Sequence, residues 1–222
     1  MATAVPASTS YSPGQGSQAT LVRDVLNFFG LVGDEEINAT AATAINAGIG
    51  LLNSRNWKKI TNSSVITLAA DTESYGLPSD FKDPIVLQPL NTSSKRDGRI
   101  PYKTLQRLMQ EHTDGTSSSD PSYYTVDYNA RKIIFDSPTS STYIAKYPTM
   151  RTYYHRRVPK LTTGAATTGL PPEFDEWLVI KAARWLAPKL EPSMMQMLDA
   201  EHSERWQWLR TSDNAQITDE DQ

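Results

Sequence analysis

The chain has 222 residues, 38% of them hydrophobic and 21% charged, with a formal net charge of -3. That length holds one large domain or two small ones with a modest core, and the missing basic excess argues against a chain that wraps nucleic acid by neutralising phosphates. There are no cysteines, which excludes disulfides, thiolate zinc sites and thiol nucleophiles. The start Met1-Ala2-Thr3-Ala4-Val5-Pro6 has neither a basic nor an apolar region of the signal-peptide kind. No apolar run approaches the roughly 18 residues of a membrane span. The sequence therefore predicts an intracellular, soluble protein.

Residues 1–19 are Ser, Thr, Ala, Gly, Pro and Gln with almost no large apolar side chain, which predicts a flexible arm. A first helix is expected over 20–30. Thr20 is its N-cap, Leu21, Val25, Phe28 and Phe29 lie on one face, and Gly30 sits in the left-handed terminating position. Asp34 caps a second helix, with Glu35 and Glu36 at its positive end. Its stripe is Ile37, Ala41, Ala44, Ile45, Gly48, Leu51 and Leu52, and it runs to Trp57. Gly48 and Gly50 each weaken a helix by about 1 kcal/mol relative to Ala. Together with Ala44 and Ala47 they point to close approach of another backbone, or else to a loosely specified helix.

From 63 to 161 the period turns from helical to alternating. Val65-Ile66-Thr67-Leu68 is a strand and 71–76 a turn; Ile85-Val86-Leu87 is a second strand, placed at an edge by Pro84 and Pro89. Leu105, Leu108 and Met109 suit a short helix, and 114–120 a mobile loop. Tyr123-Tyr124-Thr125-Val126-Asp127 and Lys132-Ile133-Ile134-Phe135 flank a polar turn as a hairpin. Ser137-Pro138-Thr139-Ser140-Ser141 then leads into 142–145 as part of the β region, which Arg151-Thr152-Tyr153-Tyr154-His155-Arg156 closes.

Helix resumes at Pro171-Pro172 with Glu173, Asp175 and Glu176 in its first turns. Phe174, Trp177, Leu178, Lys181, Trp185 and Leu186 carry it to Pro188. A last helix from Pro192-Ser193 has the stripe Met195, Leu198, His202, Trp206 and Leu209, and an expected i,i+4 ion pair between Glu201 and Arg205. The fold class is α+β. Four main helices (20–30, 34–57, 172–187 and 193–210) form a helical bundle, with a β-rich insertion between the second and third. The expected domains are an arm over 1–19, a helical domain of 20–62 and 161–210, a β-rich domain over 63–160, and a flexible acidic tail over 211–222.

No set of side chains converges on a reaction. His112, His155 and His202 include no i,i+4 pair and no His-Glu-x-x-His, so no metal site is expected. His202, on the last helix's apolar stripe, is expected to be a hydrogen-bonded interface residue. Gly14-Gln15-Gly16 follows no strand and lacks a third glycine, so no dinucleotide cofactor is expected, nor any other cofactor. Asp71, Glu73, Asp80 and Asp83 lie in turns, where acids cap or solvate; a hydrolase pair among them is the competing reading. A basic stretch holds Lys146, Arg151, Arg156, Arg157 and Lys160 with Tyr143, Tyr147, Tyr153 and Tyr154 between them. Two readings fit it: a surface for DNA or an acidic partner, or, preferred, the outer face of a strand with its tyrosines inward. Trp206 and Trp208 cannot face the same core, so at least one faces another element or another subunit.

Several short motifs, in order, carry a family likeness. They are Ile45-Asn46-Ala47 in a helix ending at Trp57; Leu77-Pro78-Ser79-Asp80-Phe81; Pro121-Ser122-Tyr123-Tyr124 opening a hairpin that ends near Ser137-Pro138; the Tyr-rich strand closing at Leu161; and Pro172-Glu173-Phe174-Asp175-Glu176-Trp177-Leu178 followed by Ala182-Ala183. Over about residues 21–209 the chain resembles the head-to-tail adaptor, or head completion, proteins of tailed bacteriophages, the kind that sit below the portal ring in short-tailed phages. The loop 91–120 and the tail after Arg210 match no motif of that family.

The resemblance implies a structural, non-enzymatic virion protein, made in the host cytoplasm and placed in the neck between head and tail. It implies a cyclic homo-oligomer of about twelve copies with head-to-tail contacts. Such a ring binds the portal protein and the tail nozzle or tube protein, and lets double-stranded DNA pass without sequence-specific binding. No membrane is involved. On that reading the portal-interface candidates are Trp206, Trp208, Leu209, Arg210, Ile217, Asp219, Glu220 and Asp221, with the last helix and tail ordering on the portal and the β region pointing toward the tail. Another neck or tail-completion protein, a tail-associated hydrolase and a nucleic-acid-binding module are the alternatives.

Overall fold

The computed structural model describes residues 16–111 and 118–215. Most of the expected arm, His112, the first four residues of the 114–120 loop and the last seven residues lie outside the described residues. The protein is mixed α and β, with six α-helices and two three-stranded sheets among the described residues. It divides into two compact units: one takes the chain up to Ile60 and from Val158 onward, the other is Thr61–Arg157.

The first unit is helical. Its opening helix, α1 (Gln18–Asn27), starts earlier than expected because Ser17, not Thr20, is the cap: the Ser17 hydroxyl accepts the Thr20 N–H at 3.2 Å. Gly30 ends it at φ 66°, with Leu31 N–H donating to Leu26 O and Gly30 N–H to Asn27 O, the paired reverse bonds of a left-handed glycine terminus. In α2 (Glu35–Asn53) the Asp34 carboxylate accepts the N–H groups of Glu36 and Ile37, as expected. The helix stops at Asn53, four residues short of Trp57, which is nonetheless buried. Ile45, Ile49 and Leu52 form the buried row, and Leu51, about 100° round the helix from Leu52, is exposed.

The two α2 glycines separate cleanly. A Cβ on Gly48 would sit 2.7 Å from Leu178 Cδ2, whereas one on Gly50 would meet nothing within 4 Å. Close approach is thus the reason for Gly48 and not for Gly50. Gly50→Ala should raise stability by up to about 1 kcal/mol through helix propensity alone. Gly48→Ala should lower it by about 1 kcal/mol net, because overpacking outweighs the same gain. Urea midpoints read both; equal gains at the two positions would remove the packing role of Gly48.

α5 (Pro172–Leu190) continues through Pro188, and Glu191 N–H still closes on Ala187 O. A 3-10 turn (Pro192–Met194) leads to α6 (Met195–Ala215), which runs past Arg210. Residues 211–215 are therefore helix rather than tail, and Asp213 is buried, accepting the Lys59 N–H at 3.2 Å. Leu21, Val25, Ile45, Ile49, Trp57, Phe174, Trp177, Leu178, Leu186, Leu198 and Leu209 fill the core of this unit. The returning chain is tied to α2 by two asparagines. Asn53 exchanges both amide bonds with the backbone of Val158 and Asn46 does the same with Leu161, at 2.8–2.9 Å.

The second unit holds the sheets. β1 (Thr61–Thr67) and β3 (Phe81–Leu90) flank β6 (Thr149–Arg156), all antiparallel, in the order β1-β6-β3. Pro84 and Pro89 lie in β3, the edge strand they predicted. The second sheet is β2-β5-β4, made of Ser74–Gly76, Lys132–Phe135 and Tyr124–Asp127. The expected hairpin forms, with Asp127 capping its turn by accepting the N–H groups of Asn129 and Ala130. Residues 74–76, expected as turn, add a short strand to it.

α3 (Leu105–Glu111) is the expected short helix, with Leu108 buried and Met109 exposed. The run 142–145 is a correction: α4 (Ser141–Lys146) is helical, because the Ser140 hydroxyl caps it by accepting the Tyr143 N–H. Ile66, Leu87, Tyr124, Ile133, Phe135, Met150 and Tyr154 are prominent in the core of this unit.

Candidate interaction site

The helical unit is organised round an aromatic cluster. Trp57 meets Phe174 and Trp206 edge-on at 5.2 and 5.3 Å, and Trp177 lies 4.8 Å from Trp206. Two residues on, Trp208 faces solvent at 50% exposure. This is the divided orientation the spacing required. Lys59 bonds Glu173 Oε1 at 2.9 Å and lies 5.5 Å from the Trp208 ring centre, so a paired cation supports the outward indole. Trp185 is also half exposed, with Lys189 Nζ 5.7 Å from its ring. Arg205 pairs with Glu176 of α5 at 2.7 Å rather than with Glu201.

The portal-interface candidates therefore part company. Trp206 is partly buried, packed against two tryptophans, and Leu209 is buried. Trp208 and Arg210 are exposed. Ile217, Asp219, Glu220 and Asp221 lie outside the described residues. His202 lies 5.7 Å from Trp177, ring to ring, and its buried Nε2 has no hydrogen-bond partner among the described residues, so the expected hydrogen bond is not made at that nitrogen. Burial, with Lys181 and Arg184 nearby, holds its pKa below the ordinary histidine value.

The basic stretch is not one patch within one unit. Lys160 belongs to the helical unit and Lys146, Arg151, Arg156 and Arg157 to the other. Tyr143, Tyr147 and Tyr154 are buried, while Tyr153 lies on the outward face of β6 with Arg151. Arg96 lies 5.2 Å from the Tyr153 ring and donates to its hydroxyl. Lys146 is exposed beside Tyr147, with Asp97 3.9 Å away.

The turn carboxylates have structural partners: Asp80 accepts from Tyr154 and Asn62, Asp83 from Tyr128, and Asp71 from Ser118. Among the described residues no cluster of three His, Asp or Glu side chains could hold a metal, and no helix is long and apolar enough to cross a membrane. One acid is unlike the rest. Asp175 is buried in the first turns of α5, accepts the Thr168 hydroxyl at 2.7 Å, and lies so near Gly16 that a Cβ there would sit 2.0 Å from it. Burial pushes its pKa up to about 6. Sequence reasoning read Asp175 only as a helix-start acid and missed its burial, and it missed Lys59 and Asp213, whose partners are far along the chain.

These units expose aromatic and charged side chains such as Trp185, Trp208 and Arg210, while Asn46, Asn53, Asp80 and Asp175 hold the fold together. The chain belongs to the SU10 adaptor protein family, whose model matches residues 17–219. It is a bacteriophage structural adaptor protein. A comparison with curated proteins returns no match.

Proposed function

We propose that the protein forms a cyclic ring of about twelve copies below the portal, joins the phage head to the tail nozzle or tube, and extends the DNA channel. The observation that carries this reading is the adaptor-family match over residues 17–219. The net charge of -3 supports it, since a channel through which a polyanion slides is poorly served by a basic lining. The helical unit, with Trp208 and Trp185 outward, is the portal-facing part. The β unit faces the tail.

Truncating Trp208 should leave the fold intact, because half the side chain is already in water. The same change should weaken docking to purified portal rings by at least about tenfold if the indole is an anchor. Trp208→Ala and the parent chain are compared by circular dichroism and by co-sedimentation with portal. Equal docking removes Trp208 from the interface. A virion reconstruction that places this chain outside any symmetric ring below the portal overturns the ring itself.

A further inference from the structure

Among the described residues β1 is an open sheet edge of known phase. Leu68 N–H donates to Pro148 O at 3.0 Å. Counting back along the register makes Ile66–Met150, Ser64–Thr152 and Asn62–Tyr154 the pairs that exchange ladder bonds. The N–H and C=O groups of Ser63, Val65 and Thr67 then point away from β6. Ser63 N–H is met by its neighbour's side chain, Asn62 Oδ1.

The opposite edge of the same sheet is closed. Ile100 N–H donates to Leu87 O and Asp97 N–H to Pro89 O, and two prolines interrupt the strand. β1 has none of the devices that guard an edge: it is seven residues long, without proline, charge or bulge. On its outward face Val65 is 51% exposed and stands opposite Arg151. Among the described residues Arg151 has no acidic partner within hydrogen-bonding or ion-pair reach.

We propose that this edge accepts residues 216–222 of a neighbouring copy as an added strand. The stretch Gln-Ile-Thr-Asp-Glu-Asp-Gln follows the end of α6 and is as long as β1. Extended, it reaches about 23 Å. Alternation places Ile217, Asp219 and Asp221 on one face. In the added strand Ile217 lies beside Val65, and the acids answer Arg151 and, farther across, Arg96. Head-to-tail symmetry fills every such edge with the next copy's tail and leaves none open. The choice of a second copy rests on the ring reading; the open edge and its charge do not.

The chain has no cysteine, so introduced pairs report cleanly. Full-length Val65→Cys and Ile217→Cys proteins, mixed and oxidised, should form a disulfide-linked heterodimer at least tenfold above a control mixture of Tyr128→Cys with Ile217→Cys. Tyr128 is exposed to a similar degree as Val65. Adding Arg151→Glu to the Val65→Cys chain should reduce the product several-fold. No excess over the control overturns the proposal, as does a doubly substituted chain that closes on itself when diluted. Micrographs with portal added separate the two readings. Rings without the crosslink sink this contact alone; the crosslink without rings sinks the ring and leaves the strand contact standing.

Discussion

Trp57→Ala should destabilise the helical unit by about 3–5 kcal/mol, the range for truncating a large buried aromatic. Trp57 lies outside any helix yet is 1% exposed, and it touches Phe174 of α5 and Trp206 of α6 through ring edges. Its indole N–H also donates to Leu52 O at 3.0 Å, a carbonyl at the end of α2. Truncation opens a cavity among three helices and removes a partner of that carbonyl. Trp57→Phe keeps most of the volume and loses the N–H and one ring of the indole, so it should cost less than half as much. Urea unfolding followed by tryptophan fluorescence and circular dichroism measures both. A loss below about 1 kcal/mol for the alanine variant would mean that the cluster does not organise the unit.

Asp175 should make stability fall as pH rises, the reverse of a salt-bridged carboxylate. Its pKa is about 6 in the folded chain against an ordinary 3.8. Below pH 3.8 both folded and unfolded chains hold the proton. Between the two values only the folded chain does, and above pH 6 neither does, so the favourable difference is lost progressively across that window. The size is up to about 3 kcal/mol, from roughly two units at 1.36 kcal/mol each. Asp175→Asn keeps a carbonyl for the Thr168 hydroxyl and has no charge to bury. The stability gap between Asp175→Asn and the parent should therefore move in the variant's favour between pH 4 and pH 7. Taking the difference between the two proteins cancels the other carboxylates. A gap that does not change with pH would mean that Asp175 titrates at its ordinary value.

Elements with local causes were legible in the sequence. Asp34 caps α2, Gly30 ends α1, the two prolines mark β3 as an edge, and the hairpin forms where the polar turn separates two β-rich runs. The misses share a physical origin. Ser17 was hidden because every residue round it is small and polar, so nothing apolar marked the true start of α1. Ile49 and Leu51 are similarly hydrophobic, and packing within the helical unit decides that Ile49 is buried and Leu51 exposed. The run 142–145 looked extended, but a single serine hydroxyl tipped it into helix. On the candidate surface, spacing alone showed that Trp206 and Trp208 diverge. Which of them points inward depends on Trp57 and Trp177, far away in sequence. Likewise the run of lysines and arginines from 146 to 160 looked continuous as text, although the unit boundary falls inside it.

The two asparagine clamps have a mechanical consequence. Asn46 and Asn53 are seven residues apart on α2, a rise of about 10.5 Å. Val158 and Leu161 are three residues apart, about 10 Å if extended. Helix and returning chain are thus commensurate, and all four amide bonds lie along one line parallel to the chain. Tension applied through the backbone at Arg157 loads them together in shear instead of peeling them one by one. Bonds loaded together in this way resist a pull more strongly than the same four would if opened in sequence, and inserting one residue between 158 and 161 would throw the two clamps out of step.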